Sequence, residues 1–208
     1  KTYSRGLANK KNSRRKIFAV GRNFNLAYRI FTEILSGGIC MNVDFAEGDK
    51  IVDVKIANPF IEAFMSVMPL LGCPTPKRVK VYLHSSQVTN SGVAVRVGFT
   101  KGLTGSVVYN MQEDAAKFIA STMMMGMPVN EFDELARSAI SELSNMLTAN
   151  ATTNLTKLGF IADISPPSLT IEAGAPMKIG DSQCLGVAMD VGGHLVDIMI
   201  AVKREKAK

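Results

Sequence analysis

The sequence predicts an α+β fold in which an antiparallel β-sheet is packed with long α-helices on one face and the chain forms two pseudo-symmetric halves. Three observations support this fold. Short strand-like runs are separated by glycine-bearing turns, as in antiparallel hairpins. Longer stretches repeat apolar residues with helical periodicity, as in amphipathic helices. The order of helix followed by strands occurs twice along the 208 residues, which indicates an internal duplication.

The first half begins with a predicted helix over residues 59–71, with Asn58 as its N-cap and Gly72 at its end. Three strand-like runs follow, at residues 78–84, 92–99 and 104–109. A short turn that contains Gly102 joins the last two runs, and this predicts an antiparallel hairpin.

Two helices connect the halves. The first spans residues 112–125 and ends at Gly126, and we expect its methionines at 123–125 to fill the core. The second is the long stretch 130–158, with its cap near Asn130 and acidic residues in its first turn, where they favour a helix start. Four strands are predicted after it, at residues 160–164, 169–172, 183–190 and 194–202. Gly192 and Gly193 between the last two predict another hairpin.

Positive charge is concentrated at the start of the chain. Residues 1–40 contain nine basic residues and one acidic residue, so the other residues carry a net charge of −2 although the whole chain has +6. We therefore predict a basic N-terminal extension (1–40), a folded domain (41–203) and a charged tail (204–208). Residues 23–35 fit a short amphipathic helix that docks on the domain, binds a partner or lies on an anionic membrane. Because the domain itself is not basic, we expect no nucleic-acid partner.

Cysteine and histidine usage argues against a metal site. The three cysteines are widely spaced and the two histidines have no partner at ligand spacing, so we predict no metal ligands and reduced, buried thiols. No apolar run approaches the ~20 residues of a membrane-spanning helix. We expect no transmembrane segment and a cytoplasmic location.

The long helix presents three polar side chains on one face. Ser138, Glu142 and Asn145 are spaced four and then three residues apart, which places them within an arc of roughly 60°. The opposite stripe is predicted to be buried and contains Phe132, Leu135, Ala136, Ala139, Leu143, Met146 and Leu147. Periodicity alone leaves two interpretations open, because any solvated helix face offers polar residues at this spacing.

The two long helices can be superimposed in sequence. Glu62 then falls on Glu142, Asn58 on Ser138 and Met65 on Asn145. The first helix therefore keeps the acid and lacks the amide.

The spacing Ser-x3-Glu-x2-Asn, followed about twenty residues later by Pro167, resembles the signature of the CheC/CheX/FliY phosphatases of bacterial chemotaxis. The resemblance extends from about residue 52 to residue 202. Members that resemble CheC carry the Glu/Asn pair in both halves, whereas this chain has Met65 in the first half. It therefore resembles CheX, with one site.

This resemblance implies a phosphatase that hydrolyses the aspartyl phosphate of a CheY-like response regulator. It implies that Asn145 positions the attacking water, that Glu142 pairs with a lysine of the receiver domain, and that Ser138 and Pro167 shape the docking surface. It also implies a homodimer with no cofactor of its own, because Mg²⁺ is held by the partner receiver.

Two alternative functions remain at this point. A non-catalytic module could bind a receiver domain or motor component without using Asn145. The basic extension could instead bind nucleic acid or anionic lipid, in which case the association would depend on salt.

Overall fold

The computed structural model describes residues 53–181 and 183–205. The predicted basic extension (1–40), its helix at 23–35, the domain start at Met41 and the last three residues of the tail lie outside the described residues. The helices are α1 (Val54–Leu70), α2 (Glu113–Met123) and α3 (Glu134–Lys157). The strands are β1 (Lys77–His84), β2 (Gln87–Thr89), β3 (Val93–Lys101), β4 (Leu103–Met111), β5 (Asp163–Ile164), β6 (Ser168–Thr170), β7 (Pro176–Lys178), β8 (Cys184–Val191) and β9 (His194–Arg204).

Seven strands form one antiparallel sheet in the order β1-β8-β9-β4-β3, with β5 and β6 both paired to the outer side of β3. The two predicted hairpins, β3–β4 and β8–β9, are confirmed and lie at the centre. Gly192 and Gly193 form the tight turn of the second hairpin with φ of 64° and 91°. Two successive positive φ angles match the twist of the flanking strands, and glycine adopts them without a Cβ clash.

The sheet joins the two halves of the chain. β1 from the first half pairs with β8 from the second, and β6 from the second half pairs with β3 from the first. Each half thus contributes a central hairpin and an outer strand that pairs with the hairpin of the other half. This arrangement confirms the pseudo-symmetric architecture that the repeated order of elements predicts.

The three helices cover one face of the sheet. α1 and α3 pack against each other, α3 contacts β3, and α1 and α2 contact β9. The core between these layers is aromatic and aliphatic, and the ring of Phe60 on α1 meets the ring of Phe99 on β3 edge to face at 5.8 Å. Burial of large side chains of this kind contributes about 1.5–3 kcal/mol each and holds the helices on the sheet.

The predicted start of α1 is wrong. The helix begins at Val54, where Asp53 is the N-cap and accepts a hydrogen bond from the backbone N–H of Lys55 at 2.9 Å. Pro59 therefore lies inside the helix, where the missing N–H and the ring cost ~3 kcal/mol. The first turns also bury Ile56 and Phe60 almost completely, and these two side chains together offset that cost.

The predicted cap of α3 is also wrong. Asp133, not Asn130, is the N-cap, and its carboxylate accepts the backbone N–H of Ala136 at 2.9 Å. Glu131 and Asp133 thus precede the helix, and Glu134 is the acidic residue of its first turn. Asp133 is preferred because its carboxylate both accepts an unpaired N–H and faces the positive end of the helix dipole.

Two short strands are absent from the prediction. β2 and β7 pair with each other and lie over the sheet face that the helices leave free. Val88 of β2 and the buried Ile179 after β7 pack there against Val108 and Met199 of the sheet. Strands of three residues give no alternation that could reveal them. The bounds of short strands are equally hard to predict, and the predicted strands 160–164 and 169–172 are longer than the observed β5 and β6.

The methionines at the end of α2 do not fill the core as predicted. Met125 is fully exposed with φ of 60°, Met127 is 55% exposed, and Met123 and Met124 are half-buried. The helix ends at Met123 and the chain then turns away from the sheet through Gly126, as its sequence predicts. Met125 and Met127, on either side of that glycine, therefore lie outside the core, which the chain enters again at Phe132.

Gly105 in β4 lies at a close approach between two central strands, so a substitution there measures how tightly these strands pack. Its φ is 116°, and a Cβ at this position would collide with the backbone carbonyl of Ala201 on β9. We expect Gly105→Ala to lower the free energy of unfolding by about 3 kcal/mol or more, because neither strand can move without breaking sheet hydrogen bonds. Urea unfolding followed by circular dichroism measures this change.

Gly126→Ala is the matched control for Gly105→Ala. Gly126 also has a positive φ, 86°, but no atom lies within 4 Å of the position that a Cβ would occupy there. The expected loss is only the left-handed backbone cost, about 1–2 kcal/mol. Equal losses in the two variants would contradict the close packing of β4 against β9.

Candidate functional site

α3 carries the predicted polar residues on the face that points away from the sheet. Ser138 and Glu142 are exposed, and Asn145 is half-buried. They occupy successive turns of one 24-residue helix, so their relative positions are fixed by a continuous backbone. A carboxylate and a carboxamide are thus presented side by side on a rigid element, which suits recognition of a partner better than a loop would.

The buried stripe of α3 is rotated relative to the prediction. Leu135 is 56% exposed, whereas Ala139 and Met146 are half-buried, so these three predicted core residues are not in the core. The buried residues are Ala136, Ile140, Leu143, Ser144, Leu147, Thr148, Ala151 and Leu155. The observed stripe includes Ile140 and two polar side chains, Ser144 and Thr148, and a stripe of apolar residues does not anticipate the polar ones.

A ladder of hydroxyl groups makes this burial possible. Ser144 Oγ donates to the carbonyl of Ile140 and Thr148 Oγ1 donates to the carbonyl of Ser144, each at 2.8 Å. Tyr109 Oη of β4 lies 3.2 Å from Thr148 Oγ1. All three side chains are at most 1% exposed, and burial raises the pKa of Tyr109 far above its usual range. Sequence reasoning missed this ladder, although the four-residue spacing of Ser144, Thr148 and Thr152 was a usable signal.

Pro167 lies half-buried in the short connection between β5 and β6. Ser165 fastens this connection to β3: its backbone N–H donates to the carbonyl of Gly98 at 2.9 Å, and its Oγ accepts the N–H of Gly98 at 3.0 Å. Both β5 and β6 contact α3. The strands on either side of Pro167 are therefore packed against the helix that carries Glu142 and Asn145.

The equivalent positions on α1 form a partial copy of this arrangement. Glu62 is exposed, Asn58 is half-buried and Met65 is 38% exposed. A thioether is only a weak hydrogen-bond acceptor and no donor, so Met65 cannot hold a water molecule as a carboxamide can. The first half thus presents an accessible acid without the adjacent amide.

The residues around Ser138 do not form a nucleophilic site. Within residues 53–181 and 183–205, no hydrogen bond joins Ser138 to a histidine or lysine that could activate it. Burial raises the pKa of both Cys73 and Cys184, the latter to about 11, so these thiols remain protonated. The geometry supports hydrogen bonding and charge recognition more than covalent catalysis.

A separate cavity of about 230 Å³ lies on the opposite face of the sheet. Arg96 lines it and donates from Nη1 to the carbonyl of Lys178 at 3.2 Å. Lys178 in turn pairs with Asp181 at 3.1 Å. The full sheet separates this cavity from α3, so it does not belong to the arrangement around Asn145.

Side chains that could ligate a metal do not cluster in the described part of the chain, which has no group of three or more His, Cys, Asp or Glu residues able to hold a metal ion. His194 instead stacks on Phe118 at 4.4 Å between ring centroids, as a packing residue of the β8–β9 turn. Among the described helices, none has the length and apolar character to span a bilayer.

Comparison with known proteins places this helix and sheet in one family. The family model for the chemotaxis phosphatase CheX matches residues 93–189, a range that includes α3 and Pro167. The CheY-P phosphatase CheX of Thermotoga maritima is 34% identical over 129 residues, which are 62% of this chain and 81% of that protein.

Solved structures show the same fold. A CheX–CheY–BeF3–Mg²⁺ complex from Borrelia burgdorferi has 27% identity and a TM-score of 0.59, covering 72% of this chain and 98% of that chain. The chemotaxis protein CheX from a Desulfovibrio desulfuricans subspecies has 19% identity and a TM-score of 0.64, covering 73% of this chain and 99% of that chain.

Proposed function

We propose, from the premise that the chain belongs to the CheX family of chemotaxis phosphatases, that it hydrolyses the aspartyl phosphate of a CheY-like response regulator. The observation that carries this proposal is the side-by-side presentation of Glu142 and Asn145 on the accessible face of α3. The related Borrelia burgdorferi protein in complex with CheY, BeF3 and Mg²⁺ supports a receiver domain as the partner.

Asn145 supplies the group that hydrolysis lacks. An aspartyl phosphate needs a water molecule held in line with the bond that breaks, between the phosphorus and the carboxylate oxygen. A carboxamide can accept one hydrogen bond from that water and donate another, so it orients the water without becoming a base or a nucleophile. Mg²⁺, brought by the receiver, neutralises the phosphoryl oxygens. The chain needs no cofactor of its own for this reaction.

Glu142 recognises the receiver. It lies one turn before Asn145 on the same face and is exposed, so its carboxylate is free to pair with a lysine of the receiver. This pair fixes the approach of α3 and thereby the depth to which Asn145 enters the site of the partner. Ser138, one turn further, and Pro167, in the connection beside α3, complete the docking surface.

The test is the decay of a phosphorylated receiver in the presence of this protein. A CheY-like receiver labelled on its aspartate is mixed with a small fraction of the chain, and the remaining label is measured over time. We expect many turnovers per chain and an accelerated decay. A decay equal to that of the receiver alone would refute the proposed function.

We also propose that the protein is a homodimer. β1 is an edge strand whose outer backbone groups are unpaired with any other strand of the described residues, and Val79 at its bulge is 58% exposed. An open edge of this kind can pair with a second copy. Sedimentation equilibrium should give the mass of two chains, and the mass of one chain at every concentration tested would contradict the proposal.

A further inference from the structure

We infer that Tyr109 is a positioning residue for Asn145, acting through Thr148 and the backbone carbonyl of Ser144. The inference rests on the proposed function, because it concerns how the helix holds the amide that orients water. Tyr109 lies on β4, on the opposite side of α3 from the proposed docking face, so it would touch neither the receiver nor the water.

The donor in each of these hydrogen bonds follows from the single proton that each hydroxyl group carries. Thr148 has one hydroxyl proton, which it donates to the carbonyl of Ser144 at 2.8 Å. The contact of 3.2 Å between Thr148 Oγ1 and Tyr109 Oη therefore has Tyr109 as its donor. The chain of bonds runs from the tyrosine hydroxyl to the threonine hydroxyl and on to the carbonyl of Ser144.

That carbonyl belongs to the peptide group that leads into Asn145. The peptide between Ser144 and Asn145 is planar and includes the Cα of Asn145, so holding its oxygen also constrains the position of that Cα. The side chain of Asn145 starts from that Cα. A shift of the peptide would move the amide relative to the phosphoryl group, and small misplacements of this kind reduce rates strongly.

Tyr109, where this series of hydrogen bonds begins, lies on a central strand of the sheet. β4 is paired on both sides, with β3 and with β9. Hydroxyls that bond to the carbonyl four residues earlier tend to bend helices, and α3 contains several of them in succession. Among the described hydrogen bonds, the one from Tyr109 joins this series directly to a sheet side chain. It therefore fixes the curvature of α3 beside Asn145.

Burial also keeps the hydroxyl in the required form. Tyr109 is 1% exposed, and loss of hydration raises the pKa of its hydroxyl, so it remains a neutral donor throughout the working pH range. Phenylalanine would fill the same space without the donor.

The experiment compares Tyr109→Phe, Thr148→Val and Thr148→Ser with the wild type. Turnover (kcat) and KM are measured with a phosphorylated receiver, and affinity is measured with the receiver loaded with BeF3 and Mg²⁺. The matched control is Thr156→Val, because Thr156 Oγ1 bonds to the carbonyl of Thr152 at 3.0 Å on the same helix but is exposed and lies three turns beyond Asn145. Thermal melting reports the fold of each variant.

We expect Tyr109→Phe and Thr148→Val to lower kcat about tenfold, with KM and affinity within about twofold of the wild type. Thr148→Ser, which keeps the hydroxyl, should retain most of the turnover. The double variant Tyr109→Phe with Thr148→Val should be no slower than the worse single variant, because both substitutions interrupt one chain of bonds. Thr156→Val should behave as the wild type.

Three results would overturn the inference. Wild-type kcat in Tyr109→Phe, together with a large loss in Asn145→Ala, would remove the role of Tyr109 and leave the proposed function intact. A parallel fall in kcat, affinity and melting temperature would show general weakening of α3 in place of positioning. No acceleration by the wild type would refute the proposed function, and the role of Tyr109 with it.

Discussion

Replacing Asn145 by alanine is expected to slow the dephosphorylation of the receiver by about 100-fold or more, because orientation of the attacking water is the main contribution of this chain to the barrier. Affinity for the receiver loaded with BeF3 and Mg²⁺ should change little, since the docking surface keeps Glu142 and Ser138. Asn145 is half-buried and its side chain supports none of the described hydrogen bonds, so the fold should be unaffected. The decay of labelled receiver measures the effect.

Asn150→Ala is the matched control for Asn145→Ala. Asn150 is an exposed amide on the same helix, where its Nδ2 donates to the carbonyl of Met146 at 2.9 Å. Its removal costs a surface hydrogen bond but no part of the proposed site, so the decay should match the wild type. Equal decay for the wild type and Asn145→Ala, with binding preserved, would favour the non-catalytic receiver-binding module.

Reversing the charge of Glu142 should have the second-largest effect. Glu142→Lys places a cation opposite the lysine of the receiver, so attraction becomes repulsion between like charges. We expect kcat/KM to fall by about 10- to 100-fold, mostly through KM, and to recover partly at high salt. Glu142 is exposed and takes part in none of the described ion pairs, so the substitution should not unfold the chain.

The pseudo-symmetric first half provides the control for this second prediction. Glu62 is an exposed glutamate at the corresponding turn of α1, beside Met65 in place of an amide. Glu62→Lys changes the net charge by the same amount as Glu142→Lys, so it measures the general effect of charge on encounter. A loss in Glu62→Lys as large as that in Glu142→Lys would argue against a specific contact at Glu142.

The hairpins could be predicted because their information is local. Glycines at the turns and strands of eight or more residues define β3–β4 and β8–β9 without reference to the rest of the chain. The start of α1 could not be predicted, because Pro59 is a strong local signal for a first turn. The burial of Ile56 and Phe60 overrides that signal, and that burial exists only in the folded domain.

The site shows the same division between local and tertiary information. The exposure of Ser138 and Glu142 follows from helical spacing, which can be determined from the sequence alone. Thr148 is buried beside the tyrosine that β4 brings to it, and the two are 39 residues apart along the chain. The four-residue spacing of Ser144, Thr148 and Thr152 is visible in the sequence, but the tertiary partner that one of them has is not. Leu135 is the converse case, an apolar residue that remains exposed next to the cap of α3.

Each half of the fold supplies an outer strand to the hairpin of the other half, and this affects how the residues at Asn145 and at its counterpart Met65 can change independently. β1 completes the hairpin of the second half, and β6 completes that of the first, so neither half can form its sheet alone. A substitution at Met65 or Glu62 alters only the surface of α1 and leaves these pairings intact. The first half therefore stays indispensable as scaffold whether or not it has a working site. In a fold built in this way, the site residues of one half can change while both halves remain necessary for the sheet.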